Sequence, residues 1–142
     1  MSRTRSAARV PAVALFLAFD YGTRRIGVAS GNSLTRTATP LATVADAAVD
    51  ARFAAIGRLI GSWQPAALVV GVPRHPDGAP HDNTRRAERF ARQLQGRFGL
   101  PVHAVDERYT TTAAQAGGAS AADVDAASAA LILEQYFNES AA

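Results

Sequence analysis

The run Ala67 to Val72 (ALVVGV) carries no polar side chain. A strand of that kind has to be covered on both faces, which calls for a place inside a largely parallel sheet with helices above and below. Val13 to Asp20 (VALFLAFD) has the same character and stops at Tyr21-Gly22. Whatever this chain folds into, these two runs are its centre, and the rest must supply the covers.

The covers are legible as helical periodicity. From Asp46 onward, Val49, Phe53, Ile56, Ile60 and Trp63 recur on one helical face, and Gly61 and Pro65 bracket the end. Ala87, Phe90, Ala91, Leu94 and Phe98 form a second apolar stripe, with Asp82 or Asn83 as the cap and Gly99 and Pro101 as the stop. Asp123 to Phe137 reads as the last helix. Between these lie the shorter strand patterns. Arg25 to Ser30 (RIGVAS) turns back on the first strand as a hairpin, Leu41 to Val44 follows the break at Pro40, and Val102 to Val105 runs into Asp106-Glu107-Arg108. Thr110 to Ala116 reads as a helical turn ended by Gly117-Gly118. The expected fold is α/β: a mixed five-stranded sheet with helices on both faces.

With 142 residues the chain holds one domain with a real core. That domain is expected over 12–140, behind a disordered basic arm over 1–11. No apolar run approaches the roughly 20 residues of a membrane helix. The arginines before Val10 resemble a secretory leader, but no small-residue cleavage site follows and the apolar run leads straight into the first strand, so a cytoplasmic protein is expected. Without cysteine there is no disulfide and no thiolate zinc site, and His75, His81 and His103 lack metal-ligand spacing. Metal binding therefore falls to carboxylates. The 15 basic residues are all arginine, with a formal net charge of +3. Arginine grips phosphate bidentately, although biased codon usage explains the same composition.

Carboxylates stand at three informative places. Asp20 closes a buried strand beside Gly22, as a site residue or as a turn-stabilising aspartate. Asp106 and Glu107 follow another strand, and only one of two neighbours can point into a given site. If Arg108 pairs with Asp106, Glu107 is free; a plain surface ion pair is the other reading. Asp125 shares a helical face with Ala129, Ile132 and Tyr136, the stripe that packs on the sheet, whereas Asp123 lines up with Glu134 and Asn138 toward solvent. An inward acid is costly unless paired or bound to metal, and near a helix start it also answers the dipole. Sites in open α/β sheets form beyond the carboxyl ends of strands, where Asp20, Arg74 and Glu107 all lie. Arg74 is placed to draw in a phosphate, or is a solvated loop residue. Arg85, Arg89 and Arg92 recur at helical spacing as a candidate backbone-tracking stripe, or as a solvated face.

Four stretches, FDYGTRRIGVAS from Phe19, LVVGVPRHPDG from Leu68, VDERYTTT from Val105 and VDAASAALILEQY from Val124, resemble the YqgF family, also called RuvX. They span Leu17 to Asn138. The family is ribonuclease H-like, is similar to Holliday-junction resolvases, and is described as maturing the 5′ end of pre-16S ribosomal RNA. The resemblance implies a ribonuclease H-like fold with Asp20, Glu107 and Asp125 as metal-binding catalytic acids. It implies Mg²⁺ or Mn²⁺, as two ions, and a precursor-rRNA substrate, with structured DNA as the alternative. Arg25, inside the first motif, joins Arg74, Arg85, Arg89 and Arg92 as a candidate substrate contact. Two departures stand out. Ala113 to Ala122 is short and Ala/Gly-rich where the family has a longer basic segment, and Gly31-Asn32 follows Ser30 where the family often has an acid.

The expected function is therefore a metal-dependent endonuclease acting on phosphodiester bonds, as a monomer or homodimer, with no membrane partner. Its rivals are a junction-type DNA resolvase and a non-catalytic RNA-binding or transcription-associated module. A sugar or acetate kinase shares the strand-Asp-x-Gly-Thr turn seen at Asp20 to Thr23, but needs two such domains.

Overall fold

The computed structural model describes residues 14–45, 48–75, 77, 79, 83–107 and 121–140, the last helix by its backbone alone at 121–123 and 140. Five strands, β1 (Leu15–Asp20), β2 (Ile26–Asn32), β3 (Thr37–Val44), β4 (Ala67–Pro73) and β5 (Val102–Glu107), form one sheet in the order β3-β2-β1-β4-β5. The β1–β2 and β2–β3 pairs are antiparallel, while β1–β4 and β4–β5 are parallel. The two apolar runs are thus neighbours at the middle of the sheet.

Alternation along β1 sends the two halves of its side chains to different layers. Leu17 and Phe19 join Val28, Leu68 and Val70 beneath α1 (Val49–Trp63) and α2 (Thr84–Phe98), which contribute Phe53, Ile56, Phe90 and Leu94. Phe16 and Ala18 join Val69 and Val105 on the other face, against Ile132, Leu133 and Phe137 of α3 (Ala121–Ser140). The expected mixed sheet with helices on both faces is what forms.

Several boundaries move. β3 begins at Thr37 rather than Leu41 and runs through Pro40, opposite Ala29 at a register shift. As an edge strand, β3 has one row of N–H groups with no strand to bond, so a residue without an N–H is tolerated there. β5 continues through Asp106 to Glu107 instead of stopping at Val105. Helix α1 starts at Val49, and Gln64 in the left-handed conformation (φ 49°) ends it after Gly61 has stayed helical. Val49 itself is 55% exposed and Trp63 is half-exposed, while Arg52 is buried among the apolar positions. The apolar period identified the helix correctly and its two end residues wrongly, because the ends of α1 overhang the sheet. Gly99, with φ 68°, closes α2 as expected. Asn83 holds the cap position, but its amide oxygen accepts from Arg86 Nη1 and not from a helix N–H. The basic arm, Asp46, His81, Asp82, Arg108 and the helical turn expected at 110–116 lie outside the described residues.

Candidate active site

Asp20 is the last residue of β1, and its side chain continues the Phe16–Ala18 face toward α3. Glu107 is the last residue of β5 and follows Val105 on that same face. Asp125 comes down from the N-terminal part of α3. Three elements distant in sequence thus deliver one acid each to the carboxyl end of the central strands, on the α3 side of the sheet.

Two glycines make the room. Asp20 pairs with Gly27 on β2 and with Gly71 on β4. A Cβ at Gly27 would stand 1.9 Å from the carbonyl oxygen of Asp125 and 2.9 Å from the nitrogen of Ala126. The backbone of α3 therefore rests directly on β2 at the residue that carries the third acid. A Cβ at Gly71 would meet Ile132 Cδ1 at 2.4 Å and Glu107 Oε2 at 3.0 Å. That space is used by the glutamate. Glycine within a strand often marks such a close approach, so RIGVAS and LVVGVP carried a signal that the sequence reading did not use.

The cluster is electrostatically tense. Burial holds the Asp20 carboxyl well above the usual aspartate range, and the charge of Glu107, a hydrogen bond with it and the charge of Asp125 push the same way. Glu107 is itself only 7% exposed. Asp125 is relieved differently: Arg25 Nε lies 2.5 Å from its Oδ2. Arg25 sits one residue before β2 and so reaches α3 just beside the Gly27 contact. Among the described residues no three acids or histidines stand together as a group that could hold a metal ion; Asp125 is turned onto Arg25. The donors are oxygen-only, Glu107 is buried and the two aspartates are partly so, and Asp20 and Glu107 repel, which is the chemistry a hard divalent cation satisfies. To that extent the residues fit such an ion.

The remaining expected contacts are distributed on the other face. Arg74 lies beside Glu107 along the backbone, its N–H 3.5 Å from the Glu107 carbonyl. Its guanidinium, however, reaches Glu88 of α2 at 3.5 Å and Asp106 Oδ1 at 3.9 Å. The sequence offered Arg74 at the rim of the acids, and Arg108, which lies outside the described residues, as one partner for Asp106. For Arg74, strand alternation turns the guanidinium away from the acids, because Arg74 and Asp106 both point to the α2 side and Glu107 to the α3 side. Arg85, Arg89 and Arg92 are exposed along α2. Arg52 was not anticipated: buried under the β1–β2 loop, it donates to the carbonyls of Gly22 (2.9 Å) and Thr23. It thereby clamps the turn that follows Asp20.

The fold has solved counterparts. Thermus thermophilus RuvC matches with a TM-score of 0.55 at 15% identity, covering 89% of this chain and 96% of that one. The same protein in complex with a Holliday junction substrate matches with a TM-score of 0.55 at 17% identity, covering 89% and 95%. The sheet order and this likeness put the molecule in the ribonuclease H-like fold class. Relatives by sequence narrow it further. A Polaromonas protein is 67% identical over 121 residues, covering 85% of this chain and 86% of its own. A Burkholderia vietnamiensis protein is 54% identical over 134 residues, covering 89% and 90%. Both carry the name "Putative pre-16S rRNA nuclease". The family model described as "RuvX: Holliday junction resolvase" matches residues 14–139, and the chain belongs to that family.

Proposed function

We propose that this protein is a metal-dependent endonuclease that hydrolyses phosphodiester bonds of precursor 16S rRNA at its 5′ end, with Asp20, Glu107 and Asp125 as its metal-binding catalytic acids. The observation that carries the reading is the buried Asp20–Glu107 pair with Asp125 alongside. A fold gains nothing in stability from burying like charges, so such a cluster points to function. The names of the relatives supply the substrate. Mg²⁺ or Mn²⁺, as two ions, would be held by these three residues and would supply an activated water and charge relief at the leaving oxygen. Burial of Glu107 keeps bulk water from its carboxylate, and Arg25 fixes where Asp125 points. Arg74, tied to Asp106 and Glu88, braces the end of β5 that presents Glu107.

The direct test is cleavage of a 5′-extended 16S precursor fragment with Mn²⁺ or Mg²⁺, run beside a four-way DNA junction. Product ends at the mature 5′ position support the reading. Junction cleavage without RNA cleavage supports the resolvase reading that the family's description favours, and activity on neither leaves a binding module. No helix of the described residues is long and apolar enough to cross a membrane, and a precursor-rRNA substrate supports the cytoplasm as the place of work.

RNA grip falls to the exposed Arg85, Arg89 and Arg92. Replacing all three with Gln should weaken RNA binding and flatten its salt dependence by roughly 0.7 in log–log slope for each lost single-strand contact. Filter binding between low and moderate salt reads this directly, and an unchanged slope would make the stripe ordinary surface.

A further inference from the structure

Asp20 and Tyr21 are consecutive, so their side chains leave the end of β1 toward opposite faces. Asp20 enters the acid cluster; Tyr21 enters a cleft between α1 and α2. The cleft, about 160 Å³, is lined by Tyr21, Arg52, Arg86, Arg89, Phe90 and Gln93, with Phe53 below them. Its wall is aromatic: Tyr21 and Phe90 have ring centroids 5.0 Å apart, and the Arg52 guanidinium lies 5.7 Å from the Tyr21 centroid. Its rim is cationic and polar on the α2 side, where Arg86, Arg89 and Gln93 are exposed, and apolar on the α1 side, where the exposed Val49 lines it. A core void would be dry and closed by apolar groups. This one opens to solvent between two guanidiniums and an amide.

Size and chemistry select the occupant. A cavity of about 150 Å³ accepts one benzene ring, so a six-membered heterocycle is the natural guest here. Aromatic and guanidinium planes are the surfaces on which unstacked bases lie. A glutamine amide offers both donor and acceptor to a base edge. Two arginines at the mouth match the phosphates on either side of that base. Duplex RNA hides its base faces, so the guest must be unpaired.

We propose that the cleft between α1 and α2 receives one unpaired pyrimidine nucleotide of the RNA, its base against Tyr21 and Phe90 and its flanking phosphates on Arg86 and Arg89. This rests on the RNA-nuclease reading above. It adds a second contact, across the sheet edge from the acids, that makes the enzyme require a single-stranded segment beside its cleavage site. Because Arg52 binds the carbonyls of Gly22 and Thr23, a base seated beside Arg52 also steadies the turn that carries Asp20.

The test is a titration of the ¹⁵N-labelled protein in EDTA, so that no cleavage is involved, with uridine 5′-monophosphate, adenosine 5′-monophosphate and inorganic phosphate. Uridine monophosphate should shift the amide signals of Tyr21, Phe90 and Gln93, with the adenosine nucleotide weaker and phosphate moving only those near Arg86 and Arg89. In parallel, Arg89→Gln and Gln93→Ala, both at exposed positions that leave the core intact, should weaken oligouridylate binding by about 5- to 10-fold. Gln93→Ala should leave duplex RNA binding at the wild-type level. Shifts confined to the Glu107 and Asp125 side, or unaltered oligouridylate affinity in both variants, would overturn the cleft. Cleavage of precursor RNA with no cleft shifts removes this proposal alone. Cleft shifts in a protein that cleaves no RNA remove the nuclease reading and leave the nucleotide site standing.

Discussion

Asp20→Asn, Glu107→Gln and Asp125→Asn should each lower cleavage by roughly 10²-fold or more, the scale of losing one transition-state charge contact. The folds should survive, and for Asp20→Asn stability should rise. In the unfolded chain Asp20 ionises near its ordinary 3.8, whereas burial and Glu107 hold the native carboxyl well above that. The native state therefore binds more protons between the two values, and its stability falls as pH rises through that interval. Asparagine does not ionise, so the melting-temperature gap between variant and wild type should open above the usual aspartate range and vanish in acid. A divalent cation should raise the wild-type melting temperature, by linkage to the folded state, and raise that of each variant less. Asp123→Asn is the control: it stands about 200° around the helix from Asp125 and should retain wild-type cleavage. Equal loss from Asp123→Asn and Asp125→Asn would refute the assignment of the third acid, and a wild-type rate in Glu107→Gln would refute the cluster.

Gly27→Ala should be nearly as damaging by a different route. Its new methyl group would meet the Asp125 carbonyl oxygen at 1.9 Å and its carbon at 2.2 Å. These are backbone atoms of a helix and cannot turn aside, so α3 has to lift off β2 and carry Asp125 with it. Overpacking of this kind costs about 1–3 kcal/mol or more, which thermal unfolding should register as a drop of several degrees, and cleavage should fall along with it. Gly71→Ala separates the two effects. There the obstacles are the Ile132 side chain and Glu107 Oε2, which can rotate, so the loss of activity should exceed the loss of stability. Wild-type melting and cleavage in Gly27→Ala would mean that α3 does not rest where the structure has it.

The covered sheet was legible because its signals are local. ALVVGV and VALFLAFD announce burial through their own side chains, and the Phe90–Leu94 stripe announces a helix through its own period. Asp20, Glu107 and Asp125 were legible for the same reason: each sits at the end of an element or on its inward stripe, and the family motifs frame all three. The partners of the arginines were not. Arg74 stands next to Pro73 at a strand end, and nothing local says that it turns to Glu88 and Asp106 instead of the acids. Arg52 occupies an apolar-looking stretch of α1, and only the β1–β2 loop packed above it explains why a guanidinium is buried there.

Taken alone, the chain determined which segments are strands and helices, that the sheet is covered on both faces, and which carboxylates stand at its carboxyl end. Those properties follow from side-chain period and chain breaks within a dozen residues. Tertiary structure decided that Asp20 and Glu107 press their charges on one another, that Asp125 is held by Arg25, and that an aromatic cleft opens behind Tyr21. These depend on the register of β1, β4 and β5, which are distant in sequence, and on how closely α3 can approach β2. The approach is set by the missing side chain of Gly27, a property of the pair of surfaces and of neither segment by itself.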